Sequence, residues 1–127
     1  MSKKIVVKGE NIPKSHLPFS PGVISGNYLF VSGQASVDDL GNIVVDSFEA
    51  ECRRSFENLK RIVEAAGRSL DDAVQVRNYV GKQEYLSEFN TIYRDYFSEP
   101  YPARTTLIGC LGDLLKFEVD VIVYLGD

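Results

Sequence analysis

The segment "PYPARTTLIGC" (100–110) sets Arg104 among small and apolar side chains that alternate as in a strand. A guanidinium in a buried strand keeps its charge, so it needs an anion, supplied either by a fixed carboxylate or by a ligand. The last apolar strand, in "KFEVDVIVY" (116–124), carries Glu118 and Asp120 on one face with Ile122 and Tyr124. Asp120 reads as an ordinary structural or solvated carboxylate. Glu118 is the natural counter-charge to test against Arg104. If 103–111 and 116–125 form an antiparallel hairpin, Arg104 falls opposite a residue near 122 or 123 and Glu118 lies roughly 13 Å away at strand rise. The two then do not pair within one chain. A site that uses both needs a neighbouring subunit, or a ligand and water between them.

Other polar residues are less pointed. Ser32, in "VSGQ", lacks the full Gly-x-Ser-x-Gly elbow of a nucleophile, but Gly33 beside it lets a ligand approach the backbone amides. Asn90 stands between Phe89 and Ile92 and is either a surface residue or a side chain at a subunit seam. The lone His16 lies in a proline-rich loop with no acidic or cysteine partner at metal-binding spacing, and reads as solvated or loop-anchoring. No metal site or cofactor is expected.

The elements that must position these residues follow from apolar spacing. "IVVKG" (5–9) is a short strand, followed by an irregular loop through "ENIPKSHLPFSPG". "VISGNYLFVSGQ" (23–34) reads as a hairpin, and Ile43, Val44 and Val45 as one more short strand. Phe48, Cys52, Phe56, Leu59, Val63 and Ala66 then recur at helical steps, with Glu51, Arg54, Glu57, Lys60 and Arg61 mostly off that line. Asp46 or Ser47 can cap this helix, with Glu49 placed for a capping box, and Gly67 follows its end. Residues 72–81 form a strand with Val74, Val76 and Val80 in alternation. A second helix presents Tyr85, Leu86, Phe89, Ile92, Tyr93, Tyr96 and Phe97 and stops before Pro100 and Pro102. The order predicts a single α+β domain over 1–127, with two helices on one face of a mixed sheet. In the strands 28–34 and 117–124 both faces are apolar, and two helices cover only one. The other face is expected to pack against further subunits.

Composition narrows the function. The chain has 127 residues, 44% hydrophobic and 25% charged, with net charge −4 and a pI near 5.0. It has no overall cationic field to attract phosphates, which argues against a nucleic-acid partner. No apolar run approaches a membrane span or a signal-peptide core. Cys52 and Cys110 lack metal-type spacing and read as reduced thiols packed like small hydrophobes, so the expected location is cytoplasmic.

Five segments in order carry a resemblance: "GNYLFVSGQ" (26–34), "SFENLKRIVEAAGRSLDD" (55–72), "FNTIYRDYF" (89–97), "YPARTT" (101–106) and "KFEVDV" (116–121). Together they resemble the RidA/YjgF family of enamine/imine deaminases, over about residues 19–124. The resemblance implies a chorismate-mutase-like fold and a homotrimer whose sheets line a central barrel, with ligand clefts between subunits. It implies hydrolysis of 2-imino and 2-enamino acids, such as 2-iminopropanoate and 2-iminobutanoate, to 2-oxo acids and ammonia, without a metal, as protection against a reactive metabolite. Arg104 matches the residue that grips the substrate carboxylate, and Glu118 the acidic residue that holds the hydrolytic water. Ser32, Gly33, Asn90 and Thr106 match cleft positions, with Thr106 where many members have cysteine. The family's Pro-Tyr-Ser-Gln is here "PFSP", so Phe19 keeps the aromatic wall without its hydroxyl, and Pro21 replaces the glutamine. That departure leaves open a protein that binds or senses small carboxylates such as 2-oxo acids with little hydrolysis.

Overall fold

A computed structural model describes residues 3–13 and 15–126; Met1, Ser2, Lys14 of the proline-bearing loop, and Asp127 lie outside them. The described chain runs β1 (Ile5–Val6), β2 (Gly22–Ser25), β3 (Tyr28–Ala35), α1 (Phe48–Ala65), β4 (Ala73–Val80), α2 (Leu86–Tyr96), β5 (Ala103–Ile108) and β6 (Phe117–Tyr124). Short 3-10 turns at Leu70–Asp72 and Gln83–Tyr85 precede β4 and α2. The strands form one mixed sheet in the order β1-β2-β3-β6-β4-β5, antiparallel except for the parallel pair β4 and β5. The predicted α+β class, with two helices and a mixed sheet, is observed.

The β2–β3 hairpin forms where the spacing placed it. Gly26, with φ of 61°, supplies the left-handed residue that its two-residue turn requires. Helix α1 buries Phe48, Cys52, Phe56, Leu59, Ile62 and Val63 against β3 and β6. Its cap is Ser47, whose Oγ accepts from the Ala50 amide at 3.2 Å. Glu49 does not complete the expected box, because that box needs Asp46 as the cap, whereas with Ser47 capping the third helical position is Ala50; Glu49 pairs instead with Arg53 one turn on, at 3.0 Å. Glu51, read as off the apolar line, is only 1% exposed. Its carboxylate accepts from the Asp46 amide at 3.0 Å, the Lys116 amide at 3.1 Å and Lys116 Nζ at 3.0 Å. A buried charge is tolerable when its lone pairs are satisfied in this way, and here it clasps the start of α1 to the start of β6.

Four expectations are corrected. β5 and β6 do not form a hairpin. β6 is the most apolar strand, with Phe117, Val119, Val121 and Val123 all buried, and it takes the sheet centre between β3 and β4, leaving no edge for β5. β5 instead follows the α2 crossover and lies parallel to β4, as strand–helix–strand units do. Residues 43–45 do not form a strand either: Ile43 makes a single bridge to Val37, since both edges of β3 are already occupied. Val74 is exposed, because the β4–β6 register shifts between Ala73 and Gln75 and breaks the alternation with Val76 and Val80. Cys52 is buried as expected, whereas Cys110 lies beyond the edge strand and is exposed.

The face of the sheet away from the helices is apolar and open. Tyr28 and Phe30 are 42% and 45% exposed, and Tyr28 meets Tyr124 with ring centroids 5.6 Å apart. Among the described residues no helix is long and apolar enough to cross a membrane.

Candidate active site

The first group of site residues is built on an irregularity in β3. Its register with β6 shifts between Val31 and Gln34, so residues 32 and 33 leave the regular ladder. The Ser32 amide donates to the Pro21 carbonyl at 2.9 Å, and the Ser32 hydroxyl to the Ser20 carbonyl at 2.6 Å. Ser32 is therefore a tether that holds the loop carrying Phe19 against β3, and its hydroxyl is committed to that bond. Gly33 makes room for Glu118. A Cβ there would overlap Glu118 Oε2 and come within 3.0 Å of its Cδ.

Glu118 is half-buried on the open face, in register with Ala35 on one side and Tyr79 on the other. Burial raises its pKa above the ordinary carboxylate value, and the nearby Asp120 charge adds to the rise. Asp120 is held in place: its Oδ1 takes Arg77 Nε at 2.9 Å and its Oδ2 takes the Tyr79 hydroxyl at 2.8 Å. Burial, then the bond to Asp120, push the Tyr79 hydroxyl up to about 12, so it stays a donor. This trio escaped the sequence reading, because Arg77 and Tyr79 meet Asp120 only through the β4–β6 pairing.

The second group lies at the β5 edge. Arg104 is in register with Val76, whose side chain is buried on the helix side, and the guanidinium turns toward α2. Its Cζ lies 4.8 Å from the centroid of Tyr93 and 5.2 Å from that of Phe89. Arg104 is exposed, contrary to the premise of a buried strand, because β5 is an edge. It forms no ion pair among the described residues. A pocket of about 280 Å³ surrounds it, lined also by Asn90, Tyr93, Arg94, Tyr101 and Pro102. Thr106 is on the same strand and the same face, in register with Asn78. Tyr93 was visible only as part of the apolar face of α2, although Phe89 and Tyr93 one turn apart make a shelf on which a cation can stack.

Arg104 thus shares a face with Val76, and Glu118 shares the opposite face with Tyr79. The separation expected along a β5–β6 hairpin is replaced by another, with the sheet itself between the two side chains. A third feature joins the first group: a cavity of about 640 Å³ under the N-terminal loop, whose walls include Phe19 and Gly33. His16 stands in that wall.

Gly33→Ala gives a direct test of the Gly33–Glu118 contact. The glycine backbone is not in the left-handed region and the obstructing atoms are the end of a flexible side chain, so the variant should melt close to the parent. Any activity that uses the Glu118 carboxyl should fall roughly ten- to hundredfold, read by kinetics beside a thermal melt.

On one face a stacked guanidinium with no ion pair among the described residues is suited to a small organic anion, and on the other a carboxyl of raised proton affinity is suited to acid–base chemistry. The family described as endoribonuclease L-PSP matches residues 9–125, and the chain belongs to this family, also called RidA/YjgF. The chain is 36% identical over 123 residues to a RutC family protein of Pyrococcus horikoshii, covering 95% of this chain and 98% of that one. It is 34% identical over 126 residues to the 2-iminobutanoate/2-iminopropanoate deaminase of Salmonella typhimurium, covering 96% and 97%. The crystal structure of RidA from an Antarctic Psychrobacter is similar with a TM-score of 0.86 and 30% identity, over 94% of this chain and 98% of that chain.

Proposed function

We propose that this protein hydrolyses 2-imino acids, and their enamine tautomers, to 2-oxo acids and ammonia. The observation that carries the reading is Arg104: a stacked guanidinium with no carboxylate partner among the described residues, in a pocket open to a ligand anion. A bidentate grip on the substrate carboxylate would fix the molecule. Glu118 would hold a water at the imine carbon. Water oxygen bonds to that carbon as the C=N π pair moves to nitrogen, which takes a proton. Glu118, whose proton affinity is raised, is suited to pass protons between the water and that nitrogen. The carbinolamine then collapses: its amine takes a proton while its hydroxyl gives one up, the oxygen's electron pair forms the carbonyl as the C–N bond breaks, and ammonia leaves. Water and imine are consumed, and 2-oxo acid and ammonia are produced, with no covalent enzyme intermediate. Positioning and electrostatics suffice, because imines hydrolyse in water unaided.

One substrate cannot touch both faces of one sheet. The reading therefore requires that Arg104, Asn90 and Thr106 come from one subunit and Phe19, Ser32, Gly33 and Glu118 from its neighbour. A closed trimer that buries Tyr28, Phe30 and Tyr124 would bring the two groups together. Light scattering should give three times the 14.2 kDa chain mass at micromolar concentration, and a monomer mass would sink the shared cleft.

The activity is tested by generating 2-iminobutanoate with a threonine dehydratase and following 2-oxo acid release with and without the protein. Faster release supports hydrolysis. Unchanged release with saturable 2-oxo acid binding would instead make this a small-carboxylate binding or sensing protein, as the missing hydroxyl at Phe19 allows.

A further inference from the structure

We infer that the cavity beside Phe19 and Gly33 receives the substrate side chain, and that this protein prefers 2-imino acids with bulky apolar side chains over the three- and four-carbon ones. The inference deepens the imine-hydrolase reading and rests on it. At about 640 Å³ the cavity is within the range of sites for drug-sized ligands and more than twice the size of the pocket at Arg104. A three-carbon acid would leave most of it to water.

The walls select what fills it. Ile12, Leu17, Phe19, Val37, Ile43 and Leu115 present hydrocarbon. Of the polar wall residues, Gln34 is already engaged, its Nε2 donating to the Ser32 carbonyl at 3.0 Å, the Ser15 hydroxyl accepts from the Leu17 amide at 3.1 Å, and Lys8 and His16 are exposed to solvent. A charged or hydroxylated substrate side chain would surrender water for this lining, whereas an isobutyl or benzyl group gains with every methylene buried.

Position ties the cavity to the chemistry. Gly33 belongs to the cavity wall and is also the residue against which the Glu118 carboxyl rests. A substrate whose reacting carbon lies at Glu118 and whose carboxylate points to a neighbour's Arg104 has its side chain left to extend past Gly33 and Phe19.

The test uses an L-amino acid oxidase to produce the imines of alanine, leucine and phenylalanine, and compares the protein's kcat/KM on each. The leucine or phenylalanine imine should exceed the alanine imine by at least about tenfold, the usual scale for adding methylenes in an apolar pocket. Ile43→Trp, which fills the cavity from a surface position, should bring that ratio toward one. Leu17→Trp, at a side chain 67% exposed, repeats the test from another wall. An alanine imine turned over as well as the larger ones, or a ratio unmoved by both variants, overturns the inference. If no imine is accelerated, the hydrolase reading fails first, and calorimetry then decides the cavity's role. Tighter binding of 4-methyl-2-oxopentanoate than of pyruvate, by about tenfold, supports it; equal or weaker binding overturns it.

Discussion

Arg104→Ala is expected to abolish imine hydrolysis and 2-oxo acid binding while the protein melts within about 5 °C of the parent. The guanidinium is exposed on an edge strand and has no ion pair among the described residues, so its removal strands no carboxylate. What the fold loses is stacking on Tyr93 and Phe89, about 0.5–1 kcal/mol per cation–π contact at an exposed site. Loss of a buried structural pair would cost roughly 3–5 kcal/mol and show as a large drop in melting temperature. Arg104→Lys sharpens the test. Lysine keeps the charge but not the planar fork, so transition-state binding should weaken by about 1.5–3 kcal/mol, roughly ten- to hundredfold in kcat/KM, with melting little changed. A fully active lysine variant would refute bidentate capture.

Glu118→Gln should lower turnover by about a hundredfold or more while 2-oxo acids still bind, since the amide fills the same space but cannot exchange a proton. The same variant should be relatively more stable than the parent at alkaline pH. Burial and the Asp120 charge make the folded chain hold the Glu118 proton more tightly than the unfolded chain, whose carboxyl titrates near 4.5. A carboxyl raised in this way favours folding most below the unfolded value. That advantage declines as pH climbs from 4.5 through the raised folded value, and above it the ionised form carries the desolvation cost in full. Glutamine has no such dependence. Paired melts at about pH 4 and about pH 8 should therefore show the variant gaining on the parent at the higher pH. A constant difference between the two would mean that Glu118 is solvated in the folded protein. Loss of binding together with turnover would mean that its carboxylate holds the cleft together.

Both residues are fixed by surroundings unlike those the one-dimensional pattern suggests. The Arg77–Asp120–Tyr79 trio stabilises a negative charge two residues from Glu118 on the same face, and the β3 irregularity leaves Gly33 with no side chain there. Catalytic carboxyls are commonly set by such neighbours, with burial and like charge raising the pKa together.

Much of the fold was legible because local periodicity reports burial. The 3.6-residue recurrence from Phe48 to Val63 became α1, and the alternation from Phe117 to Val123 became the buried side of β6. Gly26 and Asn27 marked a hairpin whose geometry is set within a few residues. Arg104 and Glu118 could be singled out as candidates because a guanidinium and a carboxylate in apolar strands demand a reason. Strand partners were not legible in the same way. The short connection between β5 and β6 favoured a hairpin, but a central position in the sheet goes to the strand with most apolar surface to bury, and β6 outcompeted β5 for it. That choice put Arg104 and Glu118 on opposite faces, joined Asp120 to Arg77 and Tyr79, and turned an acidic helix residue, Glu51, into a buried clasp. Spacing along a chain specifies which side chains share a face of one element. Which elements share an edge is a competition among all of them for buried area and hydrogen-bonding partners, and it is settled only when the whole sheet forms.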